Sequence, residues 1–270
     1  MRIAFIGGGN MTTSLIGGLL GDGTDAGTIA VADPVPAQLK RLQEDFGVRG
    51  FHDNTDAVAD AEVVVLAVKP QQLAGVAKGI APELGGQRRL VISIAAGIRL
   101  DDLQRWLGAG CAIVRAMPNR PALIGAGVTA LFAADCVSAA ERRNAEAILG
   151  ACGATVWLTQ ESQMDAVTAV SGSGPAYFFL LAEALEQAGV QLGLPAATAR
   201  LLAVETARGA GSMMAQGRAS PAELREQVTS TGGTTAAALA VLDRAGVRDI
   251  FVLAVNAAAQ RSAQLADEYG

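Results

Sequence analysis

The chain has 270 residues, a formal charge of −5, and a composition that is 51% apolar and 17% charged. That balance supports a sizeable core and excludes a disordered chain. With no basic run and no aromatic-basic patch, it also excludes a nucleic-acid partner.

The first segment, "RIAFIGGGNMTTSLIGGLL", predicts a short buried strand at Ile3–Ile6, a glycine turn and a helix from about Asn10. Gly7 permits the tight turn. Gly9 leaves the first helical amides open to a pyrophosphate, with Asn10 and Met11 beside it. The third fingerprint position holds Thr12 rather than glycine or alanine. Alone, this motif does not separate a cofactor site from a plain strand-turn-helix. "TIAVAD" then predicts a second strand ending at Asp33, 26 residues past Gly7, where an acidic residue would hold an adenosine ribose. A polar helix follows over Pro36–Phe46. His52, the sole histidine, reads as solvent-facing or structural rather than catalytic. Asn54 is better placed to touch the cofactor ribose or phosphate.

"AEVVVLAVKP" predicts a third strand, apolar through residues 63–68, as in a parallel strand covered on both faces. It ends in Lys69-Pro70 at its carboxyl end, where open α/β sheets bind ligands. "RLVISIAAG" repeats the device: residues 92–94 lie in the sheet and Ala95-Ala96-Gly97 open a small-residue gap. Two more strands are expected around the turn Met117-Pro118-Asn119, and Asn119 joins the cofactor-contact candidates. Together these elements predict an α/β, doubly wound Rossmann-type dinucleotide-binding domain.

Past Trp157 the alternation gives way to helices, predicted over residues 176–188, 198–216, 221–228, 236–245 and 249–268. Ile250, Leu253, Ala254, Ala257 and Ala258 share one face of the last. So much apolar helical surface calls for a packed homodimer, a self-contained helical cap being the alternative. The boundary falls between Thr159 and Val170, giving a dinucleotide-binding domain over 1–163 and a helical dimerisation and substrate-binding domain over 164–270. Cys111, Cys136 and Cys152 lack metal-ligand spacing and read as structural thiols in a reducing compartment, with no metal site. No apolar run reads as a signal peptide or a bilayer span, so a cytoplasmic protein without a membrane partner is expected.

A dinucleotide domain without a second cofactor motif points to hydride transfer. Carbonyl reduction usually enlists a histidine, or a tyrosine supported by lysine, as proton donor. Here His52 is misplaced, Tyr177 stands in a core-like helix start and Tyr269 at the frayed end. An imine needs less help, because its nitrogen can arrive protonated. With the pyrophosphate served by residues 7–11, "VTSTGGTT" at 228–235 is free for a substrate anion. Its glycines let the backbone curl and turn amides inward at a helix start, which suits a small carboxylate, and a hydroxyl beside it could hold a ring nitrogen. A plain helix cap would need only one hydroxyl, from Ser230 or Thr234.

From "FIGGGNM" at 5–11, "AVKP" at 67–70, "SIAAG" at 93–97, "RAMPN" at 115–119, "DAVTAVSGSGPAYFF" at 165–179 and "VTSTGGTT" at 228–235, the chain resembles bacterial pyrroline-5-carboxylate reductases from end to end. The last two motifs are the most specific. The resemblance implies reduction of the cyclic imine 1-pyrroline-5-carboxylate to L-proline by NADPH or NADH, the last step of proline biosynthesis. It also implies an interlocked homodimer with an active site shared between subunits, with dimers in some members assembling further, often into decamers. By that likeness Gly7, Gly9, Asn10 and Met11 face the pyrophosphate and Asn54 the adenosine ribose. Ala67, Lys69, Ala95 and Ala96 line the nicotinamide half. Ser230, Thr234 and Thr235 hold the substrate carboxylate, with the Thr235 hydroxyl near the ring nitrogen. Asp33 would repel a 2′-phosphate and so favours NADH. Three residues depart from the family pattern: Thr12 for alanine, Arg120 for threonine and Thr231 for proline. Hydroxy-acid dehydrogenases, other imine reductases and a redox-sensing dinucleotide-binding dimer are the alternatives.

Overall fold

A computed structural model describes residues 1–86, 88–108 and 110–270. The chain divides into two compact units, Met1–Ser173 together with Ala257–Gly270, and Gly174–Asn256.

The first unit is built on one eight-stranded sheet in the order β3-β2-β1-β4-β5-β6-β7-β8. Its strands are β1 (Ile3–Ile6), β2 (Ile29–Ala32), β3 (Arg49–Phe51), β4 (Val63–Leu66), β5 (Leu90–Ser93), β6 (Ala112–Met117), β7 (Gly127–Ala133) and β8 (Gly153–Trp157). All neighbours run parallel except β6 and β7. From β1 the chain winds outward through β2 and β3, then returns to β4 and winds the other way. The carboxyl ends of β1 and β4, which pair directly, therefore flank a topological switch point. The expected strands are present. Two further strands, β3 and β8, short and at the two edges, add to them. Every residue of β1, β2, β4 and β5 is buried, as their apolar runs, interrupted only by Ser93 at the end of β5, require of strands covered on both faces.

The helices of this unit are α1 (Asn10–Gly21), α2 (Pro36–Phe46), α3 (Asn54–Val58), α4 (Pro70–Leu84), α5 (Leu100–Leu107), α6 (Ala139–Gly150) and α7 (Gln163–Val167). Local chemistry fixes their ends. Proline opens α2, and Gly47, at φ 70°, closes it in the left-handed conformation. Ser138 and Glu141 form a reciprocal capping box on α6. Helix α7 runs into a π-helical turn at Thr168–Gly172, closed by the Ser173 amide donating to the Thr168 carbonyl at 2.8 Å.

The second unit holds α8 (Gly174–Gln191), α9 (Ala196–Ala215), α10 (Pro221–Gln227) and α11 (Thr234–Arg244). It also holds the first part of α12 (Val247–Tyr269), whose residues from Ala257 onward belong to the first unit. Helices α8 and α9 approach closely because Gly189 has no side chain: a Cβ there would lie 3.0 Å from that of Ala199. The rings of Tyr177 and Phe251 meet edge-on at 6.4 Å. Yet in α8 to α11 only Gly174, Ala199 and Ala203 are buried. Phe178, Phe179, Leu180 and Leu201 are 60%, 65%, 65% and 61% exposed, and Leu253 is 69% exposed. Among the described residues no helix is long and apolar enough to cross a membrane.

Candidate active site

The three glycines after β1 do three different things. Gly7 has φ 103°, and a Cβ on it would sit 2.6 Å from the Ala67 carbonyl oxygen, so the backbone just past β4 excludes any side chain there. Gly8 lies against Leu42, Gln38 and Asp33. Gly9 has ordinary φ of −69°, and a Cβ on it would meet nothing within 4 Å. Neither conformation nor packing requires glycine at that position. The free space stands in front of the amino terminus of α1, which has no side-chain cap and no acidic residue in its first turn. An uncapped helix start behind an open glycine fits a pyrophosphate.

Asp33 directly follows β2, with both carboxylate oxygens engaged. One accepts from the Gly8 amide at 2.8 Å and the other from the Val35 amide at 2.9 Å. Gln38 donates to the Gly8 carbonyl. Thr12 is fully buried, and its hydroxyl donates to the Gly7 carbonyl at 2.6 Å, so the departure from alanine adds a bond inside the turn. The Asp33 amide in turn donates to the Phe51 carbonyl at 3.2 Å, which ties β2 to the segment leading to Asn54. Asn54 is half-buried at the start of α3, behind the Asp53 cap. His52 is exposed. Nothing in the sequence marks Gln38 or the double engagement of Asp33, because the bonds to Gly8 join segments at least 25 residues apart.

The next loops share that carboxyl edge. The Ala67 amide donates to the Ile6 carbonyl at 2.8 Å, which locks the end of β4 to β1. Lys69 is exposed at the start of α4 and is in no ion pair among the described residues. Ala95 is buried and Ala96 half-buried after β5. Asn119 is 8% exposed; its Nδ2 donates to the Ser171 carbonyl at 3.1 Å and its Oδ1 accepts from the Val128 amide at 2.9 Å. It thus pins the turn after β6 to β7 and to the π-helical turn. A single amide hydrogen remains for a ligand.

Ser230, Thr234 and Thr235 lie in the second unit, between α10 and the first turn of α11. The Gly233 amide donates to the Ser230 carbonyl at 3.0 Å, closing a four-residue turn with Gly232 at φ 72°. A positive φ at the third position defines a turn whose second position favours proline, so Thr231 occupies the place where the family pattern has that residue. Helix α11 has Gly233 as its N-cap and no side-chain cap bond. The expected alternative of a hydroxyl cap from Ser230 or Thr234 is therefore not what the structure shows. The first amides of α11 stay open, beside the hydroxyls of an exposed Ser230 and a half-buried Thr235.

A doubly wound sheet with an open glycine turn at its switch point is the architecture of a dinucleotide-binding protein. Residues 2–97 match the family model described as NADP oxidoreductase, coenzyme F420-dependent, and residues 161–265 match pyrroline-5-carboxylate reductase dimerisation. The chain is 48% identical over 269 residues to the pyrroline-5-carboxylate reductase of Pseudomonas aeruginosa, covering 100% of this chain and 98% of that one. It is 45% identical to that of Pasteurella multocida, with 97% of each chain covered. Among solved structures, a pyrroline-5-carboxylate reductase from Coxiella burnetii superposes with a TM-score of 0.94 at 42% identity over 98% of each chain. The pyrroline carboxylate reductase of Plasmodium falciparum, solved with NADP bound, does so at 0.85 and 27% identity, again over 98% of each. The chain belongs to the pyrroline-5-carboxylate reductase family.

Proposed function

We propose that this chain reduces 1-pyrroline-5-carboxylate to L-proline with NADH or NADPH, the last step of proline biosynthesis, in the cytoplasm. The observation that carries this reading is the presence in one family member of two uncapped, glycine-fronted helix starts, α1 and α11. One suits a pyrophosphate and the other a carboxylate. When bound, the dinucleotide supplies a hydride to the imine carbon. Gly7, Gly9, Asn10 and Met11 hold the pyrophosphate against α1, and Asp33 and Asn54 face the adenosine ribose. Ala67, Lys69, Ala95, Ala96 and Asn119 form the wall at the nicotinamide end, where small side chains leave room for a ring. The Thr234 and Thr235 amides and the Ser230 and Thr234 hydroxyls hold the substrate carboxylate. The Thr235 hydroxyl stands at the ring nitrogen. No side-chain acid is needed, because an iminium nitrogen already carries the proton that stays on the product amine.

The active unit is a homodimer in which the loop before α11 of one subunit completes the dinucleotide site of the other. Support comes from the dimerisation family model and from a second unit that exposes Phe178, Phe179 and Leu253 while burying almost nothing of its own. A decamer of five dimers is the larger assembly that the resemblance offers. The test is loss of reduced-dinucleotide absorbance by the purified protein with 1-pyrroline-5-carboxylate, run beside 2-hydroxy acids with oxidised dinucleotide and beside other cyclic imines. Turnover with the pyrroline carboxylate at least about tenfold above the rest is expected. Equal or better turnover of a hydroxy acid would overturn the assignment.

A further inference from the structure

The last turns of α12 carry a feature that the sequence hides. Tyr269 is not frayed. It is half-buried against the core of the first unit, and its hydroxyl accepts a bond from Gln71 Nε2 at 3.0 Å. Gln71 lies in the first turn of α4, two residues past Lys69. Four residues before Tyr269, Leu265 packs on the neighbouring loop. Gly97, at φ 76°, comes so close that a Cβ on it would be 3.3 Å from Leu265 Cβ and from its carbonyl carbon. Arg99 pairs with Asp267 at 2.7 Å on the same loop. The segment is anchored from behind by Ser262, 3% exposed, whose hydroxyl donates to Asp165 Oδ1 at 2.7 Å.

One short stretch of helix thus touches both the first turn of α4, which continues the segment carrying Ala67 and Lys69, and the loop after β5, which carries Ala95 and Ala96. The two strands are hydrogen-bonded neighbours whose ladder runs to Leu66 and Ser93, with the Ile94 amide donating to the Leu66 carbonyl at 3.1 Å, and the helix end meets the segments beyond from another side. We propose that residues 262–269 brace these two loops and set the width of the nicotinamide-side wall, with Leu265 and Tyr269 as positioning residues. This inference rests on the assignment of those loops to the dinucleotide. The small side chains that make room for a ring cannot fix their own spacing, whereas a helix end wedged behind them can.

The test compares Leu265→Ala, Tyr269→Phe and the double variant with the unaltered full-length protein. Readouts are the Kd for NADPH and NADH from cofactor fluorescence, the separate KM and kcat, and the melting temperature without ligand. A Kd and a dinucleotide KM raised about 3- to 10-fold are expected, the scale of removing one ordinary hydrogen bond. The KM for pyrroline carboxylate at saturating dinucleotide should hold. The double variant should be little worse than the weaker-binding single variant, because both changes free the same wall. A purely structural role would lower the melting temperature and leave Kd unchanged well below it, and that result overturns the brace. Gly9→Val separates the inference from its premise, since its side chain enters open space in the protein and only a ligand would meet it. If Gly9→Val keeps full dinucleotide affinity, the cofactor assignment falls and the brace with it. If Gly9→Val loses affinity while the α12 variants do not, the brace alone is wrong.

Discussion

At the scale of single residues, Asp33 shows how one carboxylate serves two purposes. Its oxygens hold the Gly8 and Val35 amides, yet the side chain remains half-exposed with lone pairs to spare. A 2′-phosphate beside it would meet like charge; of the cations of α2, Lys40 lies 3.7 Å from Glu44, and Arg41 donates to Thr13 in the first turn of α1. A higher kcat/KM with NADH than with NADPH is therefore expected. A tenfold preference for NADPH, measured side by side, would contradict it. Asp33→Asn should relax that preference and also destabilise the fold by about 1–3 kcal/mol, because two amide bonds to a charged acceptor are weakened together. Thr235 has a narrower role. With no hydroxyl capping α11, Thr235→Ala should spare folding and dinucleotide affinity. It should lower kcat/KM for pyrroline carboxylate about 10- to 100-fold, the equivalent of about 1.5–3 kcal/mol for a bond to a charged group. Ser230→Ala should act mainly on substrate KM. Full kcat/KM in Thr235→Ala, from steady-state kinetics, would remove the loop from the substrate site.

Secondary elements are legible where local chemistry punctuates them. Helix α2 can be read to its last residue because Pro36 opens it and Gly47 closes it. The fully buried strands follow from apolar runs. Strand β8 escapes a reading of the sequence because none of its residues is buried, so no unbroken apolar run marks it. The π-helical turn escapes it because "TAVSG" has no periodicity to mark an extra residue per turn, and Asn119, which holds it, is 52 residues from its partner Ser171. The candidate site divides the same way. Glycines in an open turn can be seen in a sequence, but the long-range bonds that set them cannot. Helix α6 offers a direct test of element-level chemistry. Glu141 both completes the capping box and pairs with Arg88 at 2.8 Å. The hydrogen bond from Arg88, then the amide and hydroxyl of Ser138, lower its pKa from 4.5 to about 2. A depressed carboxylate stabilises the fold fully above its unfolded value and loses that contribution as pH falls through the folded one. Stability should therefore drop between about pH 4.5 and 2. Glu141→Gln should flatten that limb and cost about 1–2 kcal/mol at neutral pH, a figure reduced for the exposure of Arg88. Denaturation across that window checks it; an unchanged acid limb in the variant would contradict the assignment.

Across the whole molecule, the two units differ in how they bury apolar surface. The first closes a core on both faces of its sheet. The second exposes Phe178, Phe179, Leu180, Leu201 and Leu253, and only small residues are buried in α8 to α11. Apolar helical surface on that scale is a binding face, and a second copy of the same unit is the partner that the dimerisation family model describes. Sharing of the active site follows if the loop before α11 serves the partner's dinucleotide domain. The most direct measurement is complementation in mixed dimers. Chains carrying Gly9→Val, unable to hold the dinucleotide, are co-expressed with chains carrying Thr235→Ala under two different tags, and the doubly tagged dimer is isolated. If each site takes its glycine turn from one chain and its threonine from the other, one of the two sites in the mixed dimer has both residues intact. Activity should then return to about half that of the unaltered dimer. If each site is built within a single chain, every site keeps one defect, and activity no higher than that of the Thr235→Ala parent would contradict the shared site.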